Sequence, residues 1–395
     1  MASKRTMATT GTHFSTNPYT ESMQKLKTQG KLAAKVTGYT LLSVTTATAL
    51  IWQSYHLYIE HFLSHSPGSL NYKARLLLHG AYFREHIVPD YGMAAVYLDE
   101  VLRVALEEQH LDESHPDIVE LRLRLAYDEW HAGNLFDAIT QYTRAWVTMT
   151  KNSDDNDTLI TTAKQLGDLY TRVGDLEKAE EYLTWAFYAV TKDDNDDVDI
   201  LRKINVLCSL ASLYAVQRQF HLALPLFLQA LQAIPKEDDD QQQWLCTKAI
   251  LQNQLAETFY GMGKSDEAMG WAQAALDSSS DGMAKYEDAK DCRECGGVVS
   301  NNLGKLLEMK GDFDQALMYY KQAQMYASTV DDTTSQIRYD ENVIRLEKVI
   351  HPEEENATLV QDVLTVAPVK KKEQDAEQSP SQQGWMAWLQ GGNKK

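Results

Sequence analysis

Small residues recur at one position of a helical pattern along most of the chain. Those at positions 126, 167, 211, 256 and 304 are alanine or glycine, and each directly follows a leucine. A small side chain at this place lets two helices approach closely, while larger neighbours fill the space on either side. The recurrence therefore predicts a stack of antiparallel helix pairs, each pair packed against the next.

The clearest copy spans residues 166–186, LGDLYTRVGDLEKAEEYLTWA. Leu166, Gly167 and Tyr170 lie on its first helix, and Gly174 is expected to end that helix in the left-handed conformation. The second helix then carries Ala179 and Ala186. We expect Gly167 and Ala179 to face each other where the two helices come nearest, and we expect Ala186 to contact the next repeat.

The other copies supply the remaining predicted packing residues. They are Leu210, Ala211, Tyr214, Ala223, Phe227, Pro235, Leu255, Ala256, Gly263, Ala268, Leu303, Gly304, Gly311, Ala316 and Tyr320. A weaker, earlier copy contains Leu125 and Ala126, with Glu129 in place of the usual aromatic residue. This is the tetratricopeptide (TPR) pattern, so the predicted fold is an all-α TPR superhelical solenoid.

The repeats are longer than is usual for this pattern. The small residues are 41, 44, 45 and 48 residues apart, against about 34 in the standard repeat. The extra residues fall in the acidic runs 154–157, 193–199, 236–240 and 278–288, which either lengthen helices or form loops. Such loops would be solvated or would attract basic partners. The solenoid is predicted over 70–350, with clear repeats at about 120–330, a degenerate first pair at about 74–108 and a capping helix at 333–350.

The N-terminal segment differs in charge from the rest. The whole chain carries −18, but residues 1–36 carry +5, which leaves −23 on the remainder. Residues 1–35 are basic and rich in Ser and Thr, as in a mitochondrial leader. Residues 36–59 contain no Asp, Glu, Lys or Arg. We therefore predict a single transmembrane helix at 36–60, with the N-terminus in the matrix and the repeats in the intermembrane space. A buried or amphipathic helix is the alternative.

The C-terminal segment, residues 351–395, is polar, lacks periodicity and is predicted to be disordered. Trp385 and Trp388 in this tail indicate either a short docking motif or an idle end. Cys292 and Cys295 form one CxxC motif. A reduced pair in a loop is expected, and a Cys292–Cys295 disulfide is the alternative, because zinc needs further ligands.

No catalytic motif, cofactor site or metal site is predicted. GxxxxGK[ST], GxSxG and HExxH are absent from the sequence, and the net charge of −18 argues against nucleic acid. No small-molecule substrate is expected. The first helices would instead present a surface for protein segments. A clamp for a chaperone's carboxylate would need Lys on that surface, but the corresponding residues are Cys208, Ser209, Ser212, Asn253, Gln254 and Glu257.

The order of leader, apolar segment and long repeats resembles the fungal inner-membrane TPR proteins that serve as substrate adaptors of the i-AAA protease. The resemblance covers roughly residues 20–350. It implies a non-enzymatic protein that binds unfolded or membrane substrates and passes them to the protease. Two alternatives remain, an assembly factor for a respiratory complex and an outer-membrane import receptor. The missing clamp disfavours the import receptor.

Overall fold

The computed structural model describes residues 18–152, 156–192, 200–235, 242–330 and 332–351. Every regular element within these ranges is a helix, which confirms the all-α prediction. Several predicted segments lie outside the described residues. They are the leader up to residue 17, the acidic runs 193–199 and 236–240, residues 154 and 155, and the tail from 352 with Trp385 and Trp388.

The chain divides into two compact units, Met1–Ala268 and Met269–Lys395. The helices of the first unit are α1 Pro18–Tyr58, α2 Tyr72–His86, α3 Tyr91–Arg103, α4 Pro116–His131, α5 Leu135–Asn152, α6 Asn156–Val173, α7 Leu176–Lys192, α8 Ile200–Val216, α9 Phe220–Gln232 and α10 Gln242–Gly261. A further helix, α11 Ser265–Lys285, begins at the end of this unit. The second unit contains α12 Lys290–Lys310, α13 Phe313–Thr329 and α14 Thr333–Ile350.

The helices of the first unit pack in the order in which they occur. The pairs α2–α3, α4–α5, α6–α7 and α8–α9 are each in contact, and each second helix also contacts the first helix of the following pair. In the second unit α12 packs on α13, and α13 packs on α14. A helix pair of this kind buries its apolar face only when a neighbour covers it, so the predicted stacking of pairs follows from the pattern.

The glycines Gly167 and Gly304 each make room for a large side chain on the second helix of their pair. A Cβ atom on Gly167 would lie 2.3 Å from Cγ of Leu183, and one on Gly304 would lie 2.8 Å from the ring of Tyr320. Leu183 and Tyr320 both follow the small residue by sixteen positions. The side chain nearest to Gly167 is therefore Leu183, which the prediction did not pair with it; Ala316, the counterpart of Ala179, has its carbonyl oxygen 3.2 Å from the same position on Gly304. Ala186 clusters with Val206 of the next repeat.

The structure places the predicted packing residues in three environments. Those that are buried are Leu166, Gly167, Ala179, Ala186, Leu210, Ala211, Ala223, Phe227, Leu255, Ala256, Ala268, Leu303, Gly304, Ala316 and Tyr320. Those that are half-buried are Tyr170, Tyr214 and Pro235. Those in exposed turns after a first helix are Gly174, Gly263 and Gly311.

The turns after the first helices share a left-handed residue seven positions after the small residue. Gly174 has φ +86°, and Gly133, Gly263 and Gly311 have similar values. The same place in the α8–α9 turn is occupied by Arg218, with φ +60°. A side chain with a Cβ is strained in this conformation, by roughly 1–2 kcal/mol per residue.

We expect the Arg218→Gly variant to raise the free energy of unfolding by about 1 kcal/mol, because glycine adopts this backbone without a steric penalty. Urea unfolding followed by circular dichroism measures the change. The reverse substitution Gly174→Arg at the equivalent turn is the matched control and is expected to lower stability by a similar amount. Equal stability of Arg218→Gly and the parent chain would contradict the strain argument.

The first helix, α1, is long and exposed. It spans 41 residues, and the side chains from residue 19 to residue 54 are exposed. Its threonines dilute its apolar character; the hydroxyls of Thr40, Thr45 and Thr48 donate to carbonyls of their own helix. Within the described ranges, no helix combines the length and apolar character needed to cross a membrane. The transmembrane helix predicted at 36–60 is therefore not supported by the structure, and the alternative of a buried helix holds only for its last turns.

Two other segments differ from expectation. Most of the run 278–288 belongs to α11, which continues to Lys285, so the extra residues here lengthen a helix. Cys292 and Cys295 lie buried on α12, one turn apart, and are not in a loop. The expected reduced pair and the alternative Cys292–Cys295 disulfide are both wrong, because Cys292 is disulfide-bonded while Cys295 remains a thiol.

Candidate protein-binding site

The first helices of neighbouring pairs lie side by side in the first unit. α6 contacts α8, and α8 contacts α10. On each first helix, the residue three before the small residue and the residue one after it are four apart, so both point to the same side. On α4, α6, α8 and α10 these residues are Leu123, Tyr127, Lys164, Asp168, Cys208, Ser212, Asn253 and Glu257. We call this set the first-helix face.

The polar groups of this face are paired with one another. Lys164 Nζ lies 2.8 Å from Asp168 Oδ2, with both side chains 23% exposed. Asn253 Nδ2 donates to Glu257 Oε1 at 3.1 Å on α10. Because the lysine of the face is already engaged by a carboxylate, it exerts little attraction on a second carboxylate. The face is therefore poorly suited to gripping the charged end of a peptide.

The middle helix presents the shortest side chains of the face. Cys208 and Ser212 on α8 stand between the ion pair of α6 and the amide–acid pair of α10. Burial raises the pKa of the Cys208 thiol to about 12. A protonated thiol is a poor nucleophile and a poor metal ligand. The face can therefore hold a chain by shape and hydrogen bonding, but its cysteine supplies no chemistry at neutral pH.

Aromatic side chains border the face at the end of α4. Tyr127 is 43% exposed, and its ring centroid lies 3.9 Å from that of His131. Tyr91 lies 5.0 Å from His131. The guanidinium of Arg172, from α6, sits 5.3 Å from the ring centroid of Trp130. Aromatic rings that are exposed or half-buried in this way give apolar contact area with a polar edge, which is the composition of protein interfaces.

An unusual acid lies beneath this aromatic edge. Asp128 is fully buried; its carboxyl oxygens accept no hydrogen bond from the described residues, and its side chain instead hydrogen-bonds the carboxyl group of Glu85. Burial first, and then the neighbouring Glu85 carboxylate, raises the pKa of Asp128 to about 8. Glu85 itself accepts from Arg124 Nε at 2.7 Å. Sequence reasoning missed Asp128, although the repeat pattern contained a signal. Two residues after the small residue, α4 carries Asp128 where α6 and α8 carry Leu169 and Leu213.

Comparison with known proteins agrees with this architecture. A tetratricopeptide repeat family model matches residues 299–329, and no curated protein matches. The apo form of RapI covers 71% of this chain and 91% of its own, with 14% identity and a TM-score of 0.50. BtubC (BKLC) from P. vanneervenii covers 73% and 96%, with 18% identity and a TM-score of 0.47.

A kinesin light chain-like repeat protein from Podosopora anserina covers 54% of this chain and 99% of its own, at 16% identity and a TM-score of 0.46. At such identities a structural likeness concerns the fold alone. The repeat match and the RapI fold together confirm the prediction of TPR-like helical repeats.

Proposed function

We propose that this chain, whose fold is that of a TPR-like helical repeat protein, is a non-catalytic adaptor that binds extended segments of other proteins. The observation that carries the proposal is the first-helix face. Its charged groups are internally paired, its middle helix has short side chains, and its edge is aromatic. Such a surface takes a segment through main-chain hydrogen bonds and apolar contacts.

The finer proposal concerns the place of action. We propose that the protein works at the mitochondrial inner membrane with its repeats in the intermembrane space, and that it delivers unfolded or membrane proteins to the i-AAA protease. The basic, Ser/Thr-rich leader and the resemblance in repeat organisation support this. An adaptor that holds substrate and protease together raises the local substrate concentration without any chemistry of its own.

An assembly factor for a respiratory complex is the second candidate function. It uses the same face to hold a subunit until that subunit is incorporated, so the two functions differ in the fate of the bound protein. An outer-membrane import receptor fits less well, because the cation needed for a carboxylate clamp is engaged in the Lys164–Asp168 pair.

Blocking the first-helix face is expected to weaken segment binding. Ser212→Arg places a long charged side chain on the middle helix, and we expect it to weaken binding at least tenfold, which corresponds to about 1.4 kcal/mol. The probe is reduced, carboxamidomethylated ribonuclease A, which stays unfolded, with a fluorescent label for anisotropy. The matched control is Tyr188→Arg, because Tyr188 is 64% exposed on the second helix α7. If the affinity of Ser212→Arg for the probe were unchanged, or if Tyr188→Arg lost as much affinity, the segment would not bind on the first-helix face.

The adaptor role has its own experiment. A purified i-AAA protease is given a labelled unfolded substrate below its KM, with and without this chain. We expect the substrate to be degraded several-fold faster with the parent chain than with the protease alone. With the Ser212→Arg variant we expect the rate of the protease alone. If the chain binds the substrate but slows its degradation, the assembly-factor role is favoured.

A further inference from the structure

A buried histidine pair joins the end of α1 to α2. His56 and His79 are 4% and 5% exposed. Their Nδ1 atoms lie 3.0 Å apart, and their rings are stacked at a centroid distance of 5.2 Å. His61 and His65, on the chain that follows, are exposed, whereas His56 is buried.

The hydrogen bonds of this pair fix where its protons lie. Glu60, on the π-helical turn Ile59–Leu63 after α1, has its Oε2 atom 2.8 Å from His79 Nε2. A carboxylate only accepts, so His79 Nε2 carries the proton and donates it. His79 Nδ1 then accepts from His56 Nδ1–H. Ser66 Oγ also donates to Glu60 Oε2, at 2.6 Å.

One nitrogen is left over in this arrangement. His56 Nε2 is buried and has no hydrogen-bond partner within the described part of the chain. If one proton is added to the pair, His56 Nε2 therefore becomes an N–H group that has no acceptor. This holds even if the positive charge lies on His79 beside Glu60, because His79 Nδ1 then donates to His56 Nδ1 and the remaining proton of His56 sits on Nε2. A buried donor without an acceptor is unfavourable. A second proton sets two imidazolium rings against each other at the same 3.0 Å contact.

The groups around the pair reinforce the neutral form of His56. From α1, Trp52 lies edge-on to His56 at a centroid distance of 4.6 Å, and Tyr55 lies at 5.8 Å. Tyr82 of α2 interacts electrostatically with Tyr55. The one carboxylate of the cluster, Glu60, also lies 4.0 Å from Arg75 and 3.4 Å from His65. Burial, and then His79, lowers the pKa of His56.

We propose that the His56–His79–Glu60 network is a proton-sensitive latch that holds α1 on α2 at neutral pH and releases it on acidification. α1 also meets α2 through Tyr55, edge-on to Phe83 at 5.8 Å, and through Gln53 with Tyr72. The direction follows from linkage. Because the folded pKa of His56 is lowered, the latch is fully formed above about pH 6.5, the ordinary histidine value, and weakens as pH falls below it.

The test measures the distance between α1 and the repeats as a function of pH in the full chain. Spin labels at positions 38 and 96, in α1 and α3, report this distance by pulsed electron paramagnetic resonance. We expect one narrow distance distribution at pH 8 and a distribution at least twice as broad at pH 5, with a midpoint below about 6.5.

Three variants separate a latch from general acid unfolding. His56→Gln retains a hydrogen-bond donor to His79 but has no titratable group at position 56, so its distance distribution is expected to stay narrow at pH 5. His56→Phe keeps an aromatic ring and tests the same point if the glutamine variant misfolds. His61→Gln replaces an exposed histidine, and its distance distribution is expected to broaden at pH 5 as that of the parent does. A parent distribution unchanged between pH 8 and pH 5, or equal broadening in both His56 variants, would overturn the proposal.

Discussion

Replacing Asp128 with leucine should raise the free energy of unfolding by roughly 3 kcal/mol at pH 7. The acid is fully buried, accepts no hydrogen bond from the described residues, and hydrogen-bonds the carboxyl group of Glu85. It occupies the register position where Leu169 and Leu213 are buried between repeats. The variant loses the Asp128–Glu85 hydrogen bond but keeps the Arg124–Glu85 hydrogen bonds, so the Glu85 charge stays paired.

The pH dependence of this gain has a defined sign. The pKa of Asp128 is about 8 in the folded chain and about 3.9 in an unfolded chain. Below the lower value the acid is protonated in both states, and no ionisation penalty exists. As pH rises between the two values, only the unfolded chain ionises, and stability is lost. The advantage of Asp128→Leu therefore grows from about pH 4 to about pH 8.

Urea unfolding of both proteins at several pH values measures this difference. Asp128→Asn is the matched control, because it removes the ionisation but keeps a buried polar group. We expect its gain to rise with pH in the same way but to be smaller than that of the leucine variant. A gain that does not change with pH, or a leucine variant less stable than the parent, would contradict the assignment.

The second large effect is expected at Gly167, where Gly167→Ala should lower the free energy of unfolding by roughly 2–3 kcal/mol. The new Cβ would lie 2.3 Å from Cγ of Leu183, and Leu183 is fully buried. The clash involves a branching carbon, so the two helices must separate. Alanine is intrinsically better than glycine in a helix by up to about 1 kcal/mol, which offsets only part of the loss.

Two further proteins test this explanation. Gly270→Ala is the matched control, because nothing lies within 4 Å of its Cβ position in α11; we expect a gain of about 0.5–1 kcal/mol. The double variant Gly167→Ala/Leu183→Ala should be more stable than the sum of its single effects predicts, since Leu183→Ala removes the clash. Additive effects would show that Gly167 does not act through Leu183.

The sequence predicted the parts of the fold that repeat. Each copy has a leucine followed by a small residue, and most copies have a glycine seven positions after that small residue. This pattern recurs because the two helices of every pair pack in the same way. It did not predict that Arg218 takes the left-handed turn, because nothing local distinguishes that arginine. It also did not predict that Leu183 is the side chain nearest to Gly167, since the residue facing a small side chain depends on how two helices are offset.

The candidate site was predicted less completely than the fold. The first helices could be chosen as the binding surface from the repeat pattern alone. The residue types at positions such as Cys208 and Ser212 already disfavoured a carboxylate clamp. The pairing of Lys164 with Asp168 also agrees with their spacing of four residues. The burial of His56 against His79 could not be read from the sequence, because the contact joins residues 23 positions apart.

Site-specific photo-crosslinking tests the central claim most directly. A photoreactive amino acid is placed at Ser212 on the first-helix face or at Tyr188 on the second-helix α7, and each protein is irradiated with unfolded ribonuclease A or with purified i-AAA protease and substrate. We predict that position 212 crosslinks to the unfolded chain, that excess unlabelled unfolded protein competes, and that position 188 does not crosslink to it. Crosslinking from position 188 alone, or none from position 212, would contradict binding on the first-helix face.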